Sequence, residues 1–142
     1  MANVKMGFEG LVYRGTAGST ATTLLENIKD VSYNLDIEKG NTTVRGDSTT
    51  IPIETEDVSV RKVSIEFNMI NDTTDTDLET IRAAAFAGTI IALRLKDHSS
   101  GKGFDGDVTL SVGNSLPLAG EQDISFTATP SRSSGRSPSL YV

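Results

Sequence analysis

His98 is the single histidine of the chain, and it stands in a Ser/Gly-rich run with Ser99, Ser100 and Gly101. A Ser-His-acid triad would need a nucleophile on a strained elbow, and no Gly-x-Ser-x-Gly occurs in the sequence, so His98 reads as a solvated loop residue. Gly101-Lys102-Gly103 lacks the leading Gly-x4 spacing and the following Ser/Thr of a phosphate loop, which leaves a flexible turn. Asp72, Asp75, Asp77 and Glu79 gather carboxylates as a calcium loop does, without the Gly of its sharp turn or its distal Glu. Acids in such a place complement the positive end of a helix. Asp105-Gly106-Asp107 likewise reads as turn chemistry. Glu54, Glu56 and Asp57 could be imagined as a glycosidase pair. Such a pair needs carboxylates about 5–9.5 Å apart across a cleft with stacking surface. The chain has no Trp and three Tyr, which also argues against a base-stacking groove. With no Cys, thiol catalysis, disulfides and thiolate metal sites are excluded. The expectation is a protein that is not an enzyme, with no catalytic residues, cofactor or metal.

Composition points the same way. Thirteen Lys and Arg against 19 Asp and Glu give a net charge of -6, which excludes a generally basic nucleic-acid binder. A chain of 142 residues is long enough to bury one proper core. Ten Val, ten Ile and 17 Thr favour strands, because a branched Cβ restricts χ1 in a way that suits a pleated surface. Neither an apolar leader segment at Met1–Lys5 nor a run of about 18 apolar residues is present, so synthesis in the cytoplasm without a Sec-type signal is expected.

The elements follow from periodicity. Phe8 to Arg14 predicts a short strand stopped by Gly15-Thr16-Ala17-Gly18-Ser19. Val31, Tyr33, Leu35 and Ile37 alternate strictly with Ser32, Asn34 and Asp36, the pattern of a half-buried strand. Glu38-Lys39-Gly40-Asn41 has turn composition, and Thr42 to Arg45 is predicted to pair back. Gly46 to Asp57 breaks the alternation and reads as a loop or ribbon leaving the domain; connections of that length are uncommon unless they serve a function. Val58 to Ile70 is a long strand whose apolar parity changes, which places a bulge or bend at Arg61-Lys62. Thr76-Asp77-Leu78-Glu79 fits a capping box, Leu78, Ile81 and Ala85 share a helical face, and Gly88 sits at C′. Further strands are predicted over Thr89–Lys96, around Val108, Leu110 and Val112, and around Ile124, Phe126 and Ala128. Residues 130–142 contain two Arg and no acid, an arm opposite in sign to the body at 1–129 and suited to docking on a copy of the same chain.

Leu11-Val12-Tyr13-Arg14-Gly15-Thr16-Ala17-Gly18, then Leu25-Glu26-Asn27-Ile28-Lys29-Asp30-Val31 with the alternating strand after it, resembles the opening of the tail tube (major tail) proteins of tailed bacteriophages. The likeness continues through Thr43-Val44-Arg45-Gly46, Ile65-Glu66-Phe67, Ile81-Arg82-Ala83-Ala84, and Gly88-Thr89 with Ile91-Ala92. It covers most of the chain and lies in structural positions, without a catalytic signature.

The resemblance implies a mainly β protein, a β-sandwich or barrel of antiparallel strands with one flanking α-helix, spanning 1–129 with an extended loop at 46–57 and a C-terminal arm at 130–142. It implies a structural protein of the virion tail, made in the bacterial host cytoplasm, whose copies form hexameric rings stacked into a tube. Its partners would be a tape-measure protein in the lumen, tail terminator and baseplate or tip proteins, and, in a contractile tail, a sheath. DNA would pass without specific binding, since an acidic wall repels phosphate. On this resemblance Arg45, Asp47, Ile51, Ile53, Arg61, Lys62, Arg132, Arg136 and Tyr141 are candidates for contacts between subunits, and Glu54, Glu56, Asp57 and Glu66 for the lumen wall. The alternatives are the inner tube of a contractile injection machine and a monomeric β-sandwich binding or decoration module, which would need a concave aromatic site.

Overall fold

The computed structural model describes residues 4–44 and 51–142. After a single 3-10 turn at Gly7–Glu9 come β1 (Leu11–Thr16), β2 (Thr23–Leu24), β3 (Ile28–Asn41), β4 (Glu56–Ile70), α1 (Thr76–Ala87), β5 (Ile91–Lys96), β6 (Asp105–Ser115) and β7 (Asp123–Ser131). The strands form one curled antiparallel sheet in the order β2-β1-β5-β6-β7-β4-β3. The mainly β fold with one helix is thus the one the β-branched composition predicted.

One face of the sheet carries the core. Phe67 on β4 stands directly opposite Phe126 on β7, and their rings stack at 5.2 Å. Ile65, Met69, Leu93, Val108 and Ile124 are buried around them, and Leu78, Ile81 and Ala84 of α1 close the cluster. The helix buries Leu78 and Ile81 as its 3.6-residue period predicts, with Ala84 rather than Ala85 completing the buried stripe, and packs against β6.

The helix start falls one residue earlier than the capping-box pattern suggests. Asp75, not Thr76, is the N-cap, and its carboxylate accepts from the backbone N–H of Asp77 at 3.0 Å and Leu78 at 3.3 Å. Gly88 takes the left-handed conformation at φ 71° and ends the helix as predicted. Asp77 in the first turn is held by Arg14 of β1, whose Nε donates to it at 2.9 Å, and Asp72 ties Thr74 ahead of the helix. The gathered acids are therefore engaged in capping and anchoring α1. Asp75→Ala is expected to cost about 1 kcal/mol, read as a lower urea midpoint with unchanged slope; a change below a few tenths would mean that water replaces the cap.

The longest elements depart most from the local signals. β3 runs through the turn-like Glu38-Lys39-Gly40-Asn41 and pairs with β4 as far as Asn41 opposite Glu56, so no separate strand forms at Thr42–Val44. Local turn preference is overridden because the backbone groups of those residues that face β4 find partners in the ladder. Of the two register shifts in this pair, one lies between Ile28 and Val31 and the other between Glu38 opposite Val60 and Lys39 opposite Val58, which puts the extra residue of β4 at Ser59. Arg61 and Lys62, predicted to hold the bulge, are in regular register opposite Ile37 and Asp36.

Candidate functional site

β4 pairs with β7 only from Ile65 to Ile70, whereas it pairs with β3 along nearly its whole length. Asn34–Asn41 and Glu56–Ser64 consequently leave the body as a two-stranded ribbon, roughly 24 Å long at about 3.4 Å per residue. β3 is also the outermost strand, so its free side presents unpaired backbone groups. On the face continuous with the core stand Leu35, Ile37, Val58 and Val63. Leu35 and Ile37 are each 47% exposed, and Val58 is 53% exposed. The alternation that predicts a half-buried strand is real, but the surface that would cover its apolar side is absent from the monomer.

The opposite face is polar across four strands. Ser32, Glu66, Thr127 and Ser111 lie side by side on β3, β4, β7 and β6, flanked by Asn34, Ser64, Thr129 and Thr109. Along the ribbon this face continues with Asp36, Glu38, Lys62 and Asp57. Glu66 and Asp57 thus share a face, Glu56 points to the other side opposite Asn41, and Glu54 precedes the strand. Asp36 and Glu38 join this acidic face although they were not among the candidates; the alternation from Ser32 to Asp36 already carries that signal. Arg61 and Lys62 diverge, Arg61 to the apolar side with Ile37 and Lys62 to the polar side, where it pairs with Glu38. The hydrogen bond from Lys62 to Glu38 and the charge of that carboxylate raise the lysine pKa above its ordinary value.

At the far end of the ribbon Thr42 N–H donates to the Thr55 carbonyl at 2.9 Å, and Thr55 N–H to the Thr43 hydroxyl at 2.9 Å. Ile51 and Ile53, just beyond, are 91% and 83% exposed. Arg45 and Asp47 lie outside the described residues.

The C-terminal segment folds onto its own subunit. Ser139 exchanges two backbone hydrogen bonds with Asp105, and Val142 two with Gly103. Asp105 and Asp107 do not form a turn; they open β6 on the face away from the core, where the segment buries them. Asp107, 0% exposed, accepts from Gly18 N–H at 3.1 Å, from Ser134 and from Arg136 at 3.4 Å. Arg136 also pairs with Asp105 and donates to the Ser19 carbonyl at 2.7 Å. Arg132 is exposed and reaches Ser137, and Tyr141 is exposed with Lys102 over its ring. His98 Nδ1 lies 2.7 Å from Asp97 in an exposed loop, with no serine aligned on it among the described residues. Among those residues no group of three or more His, Cys, Asp or Glu side chains could hold a metal ion.

No family model matches the chain, and no curated protein matches it in sequence. Among the solved structures that share its architecture are two from gene transfer agent particles. A chain from the tail of an empty gene transfer agent particle with C6 symmetry superposes with a TM-score of 0.75 at 16% identity, over 98% of this chain and 100% of that one. A chain from the virion of a native gene transfer agent particle superposes with a TM-score of 0.69 at 14% identity, over 98% and 100%. At such identity the likeness is one of fold, and it extends from end to end. The curled antiparallel sheet with its helix is a fold that this chain shares with chains of gene transfer agent particles.

Proposed function

We propose that this chain is the subunit of a phage tail tube: copies close into six-membered rings, the rings stack, and the hollow tube conducts DNA into a host. The observation that carries the proposal is the ribbon. An isolated pair of strands is marginally stable in water, yet this one exposes Leu35, Ile37 and Val58 on one side and an open edge along β3. A neighbouring copy would cover the apolar side and pair with the edge, so that the strands of six subunits make one closed wall without edges. The end-to-end fold likeness to a chain in a tail of C6 symmetry supports the ring. The polar face of Asp36, Asp57, Glu66 and their hydroxyl neighbours would then look into the lumen, where negative charge keeps DNA from sticking. Glu54 and Glu56, at the ribbon's far end, would stand at the rim.

In such a tube Arg45, Asp47, Ile51 and Ile53 belong to the connection that touches adjacent copies, Arg61 and Lys62 to the sides of the ribbon, and Arg132, Arg136 and Tyr141 to the arm. The lumen would hold a tape-measure protein during assembly. A terminator, a tip or baseplate, and in a contractile tail a sheath, would complete the particle in which the subunit resides.

Size-exclusion chromatography at rising concentration, followed by negative-stain electron microscopy, tests the proposal. Rings or hollow tubes of uniform width are expected; a 15.1 kDa monomer persisting at every concentration would overturn it and favour a monomeric binding module. Arg61→Glu combined with Lys62→Glu replaces two positive charges on the ribbon with two negative ones and is expected to raise the concentration at which tubes appear by roughly tenfold. Tubes at the wild-type threshold would remove both residues from the contact.

A further inference from the structure

Two arginines stand at one buried aspartate. Asp105 is paired by Arg136 of the C-terminal segment. Arg94 of β5 lies directly opposite Asp105 in the ladder and on the same face, where cross-strand Cβ atoms are about 5 Å apart. Yet Arg94 forms no ion pair among the described residues, and its Nε is buried without a hydrogen-bond partner. Its neighbour on the other side is Tyr13, whose ring is already covered by Lys96. Buried polar groups in native folds are paired with few exceptions, and each exception calls for a reason.

The segment that keeps Arg94 from Asp105 is held at a few points. Ser139 bonds through its backbone to Asp105 and Val142 to Gly103, while Arg136 reaches Asp105, Asp107 and the Ser19 carbonyl. Between the two backbone pairs the chain is strained. Tyr141, at φ 63°, is the one residue other than glycine in the left-handed region among the described residues, and its side chain is exposed. A Cβ crowds the following carbonyl in that conformation, so lifting the segment relieves Tyr141. The fit at Pro138 is close as well, since a Cβ on Gly106 would lie 3.0 Å from the Pro138 Cα.

We propose that residues 132–142 form a two-state latch in which Arg136 and Arg94 are alternative partners of Asp105. In the closed state Arg136 holds Asp105 and the arm lies on its own subunit. In the open state Arg94 takes Asp105, so that carboxylate keeps a charged partner, and the arm comes away while the sheet stays folded. Asp107 is uncovered to water as the segment leaves and retains Gly18 N–H. Opening frees Arg132, Arg136 and Tyr141 together, and whatever captures the open arm draws the equilibrium toward it. In a tail tube the captor is a second copy, and in that step alone the inference rests on the tube proposal.

Hydrogen exchange on the full chain, below the concentration at which it assembles, reads the latch through the amides of Gly103, Asp105, Ser139 and Val142. Phe126 and Ala128 of the core serve as reference. Arg94→Gln removes the alternative partner and is expected to slow exchange at the four latch amides at least about tenfold, the effect of one charge-assisted hydrogen bond, with the reference unchanged. Arg94→Lys keeps the charge and should restore most of the original rate. Since Arg94→Gln leaves every residue of the arm in place, tubes should still form, at a concentration about tenfold higher. Latch amides that exchange at the unmodified rate or faster in Arg94→Gln would overturn the latch, and so would an equal slowing at Phe126 and Ala128, which would make the effect one of global stability. Slowed exchange with tubes at the original threshold would overturn the coupling to assembly and leave the tube standing. Unmodified protein that never assembles would overturn the tube, and the exchange rates would still decide the latch.

Discussion

Asp107→Ala is expected to lower the unfolding free energy by about 3 kcal/mol, because removing one partner of a buried ion pair leaves the other charge uncompensated. Asp107 is wholly buried and receives Gly18 N–H, Ser134 and Arg136 at once. Its loss strands the Gly18 donor and half of the Arg136 guanidinium. Arg136 keeps Asp105 and the Ser19 carbonyl, which holds the effect to the lower part of the range known for buried pairs. In a thermal scan that corresponds to a fall of roughly 10 °C for a domain of this size. Because Arg136 fastens the C-terminal segment to β6, trypsin should cleave at Arg132 and Arg136 markedly faster in the variant. Asp107→Asn, which keeps an acceptor but no charge, should fall between. A loss under about 1 kcal/mol together with unchanged proteolysis would show that the segment is held by its backbone bonds to Asp105 and Gly103 alone.

Leu35→Asp combined with Ile37→Asp is expected to leave the monomer nearly as stable as before and to abolish tubes. Both side chains are about half exposed, so placing carboxylates there costs the free subunit little, on the order of 0.5 kcal/mol each. If a neighbouring copy covers the ribbon, each substitution forfeits burial of the exposed half of a large aliphatic side chain, roughly 1 kcal/mol, and buries a charge in its place, which costs several kcal/mol more. Together the two should weaken each contact at least about a thousandfold, since every 1.4 kcal/mol is a factor of ten. The measurements are the urea midpoint of the monomer and the tube yield by electron microscopy. Tubes of normal width and yield from the double variant would sink the assignment of this face to an interface, whereas a collapsed midpoint would mean that the ribbon packs within its own subunit.

These two variants probe opposite relations between sequence and structure. The buried Asp107 looks like turn chemistry in Asp105-Gly106-Asp107, because its partners Gly18, Ser134 and Arg136 are 89, 27 and 29 residues away in the chain. No local pattern signals a contact of that kind. Leu35 and Ile37 look like core in the alternating stretch, and their alternation is correct, but whether a face is covered depends on strands that happen to end. β7 stops pairing with β4 at Ile65, and the ribbon beyond has nothing over it.

The features that the sequence by itself determined are those set within a few residues by backbone preference and side-chain period. Branched side chains made the protein mainly β; Leu78, Ile81 and the αL residue Gly88 defined one helix and its end; and the alternation from Val31 to Ile37 assigned polar and apolar sides to β3. Tertiary structure alone decided the order of the strands, the position of the bulge at Ser59 rather than Arg61-Lys62, the persistence of β3 through turn-like residues, and the docking of Arg136 on Asp105 and Asp107. Each of those depends on which distant segment supplies the matching hydrogen bond, surface or charge, and a pairing free energy between residues far apart in the chain leaves no trace in the local period of either one.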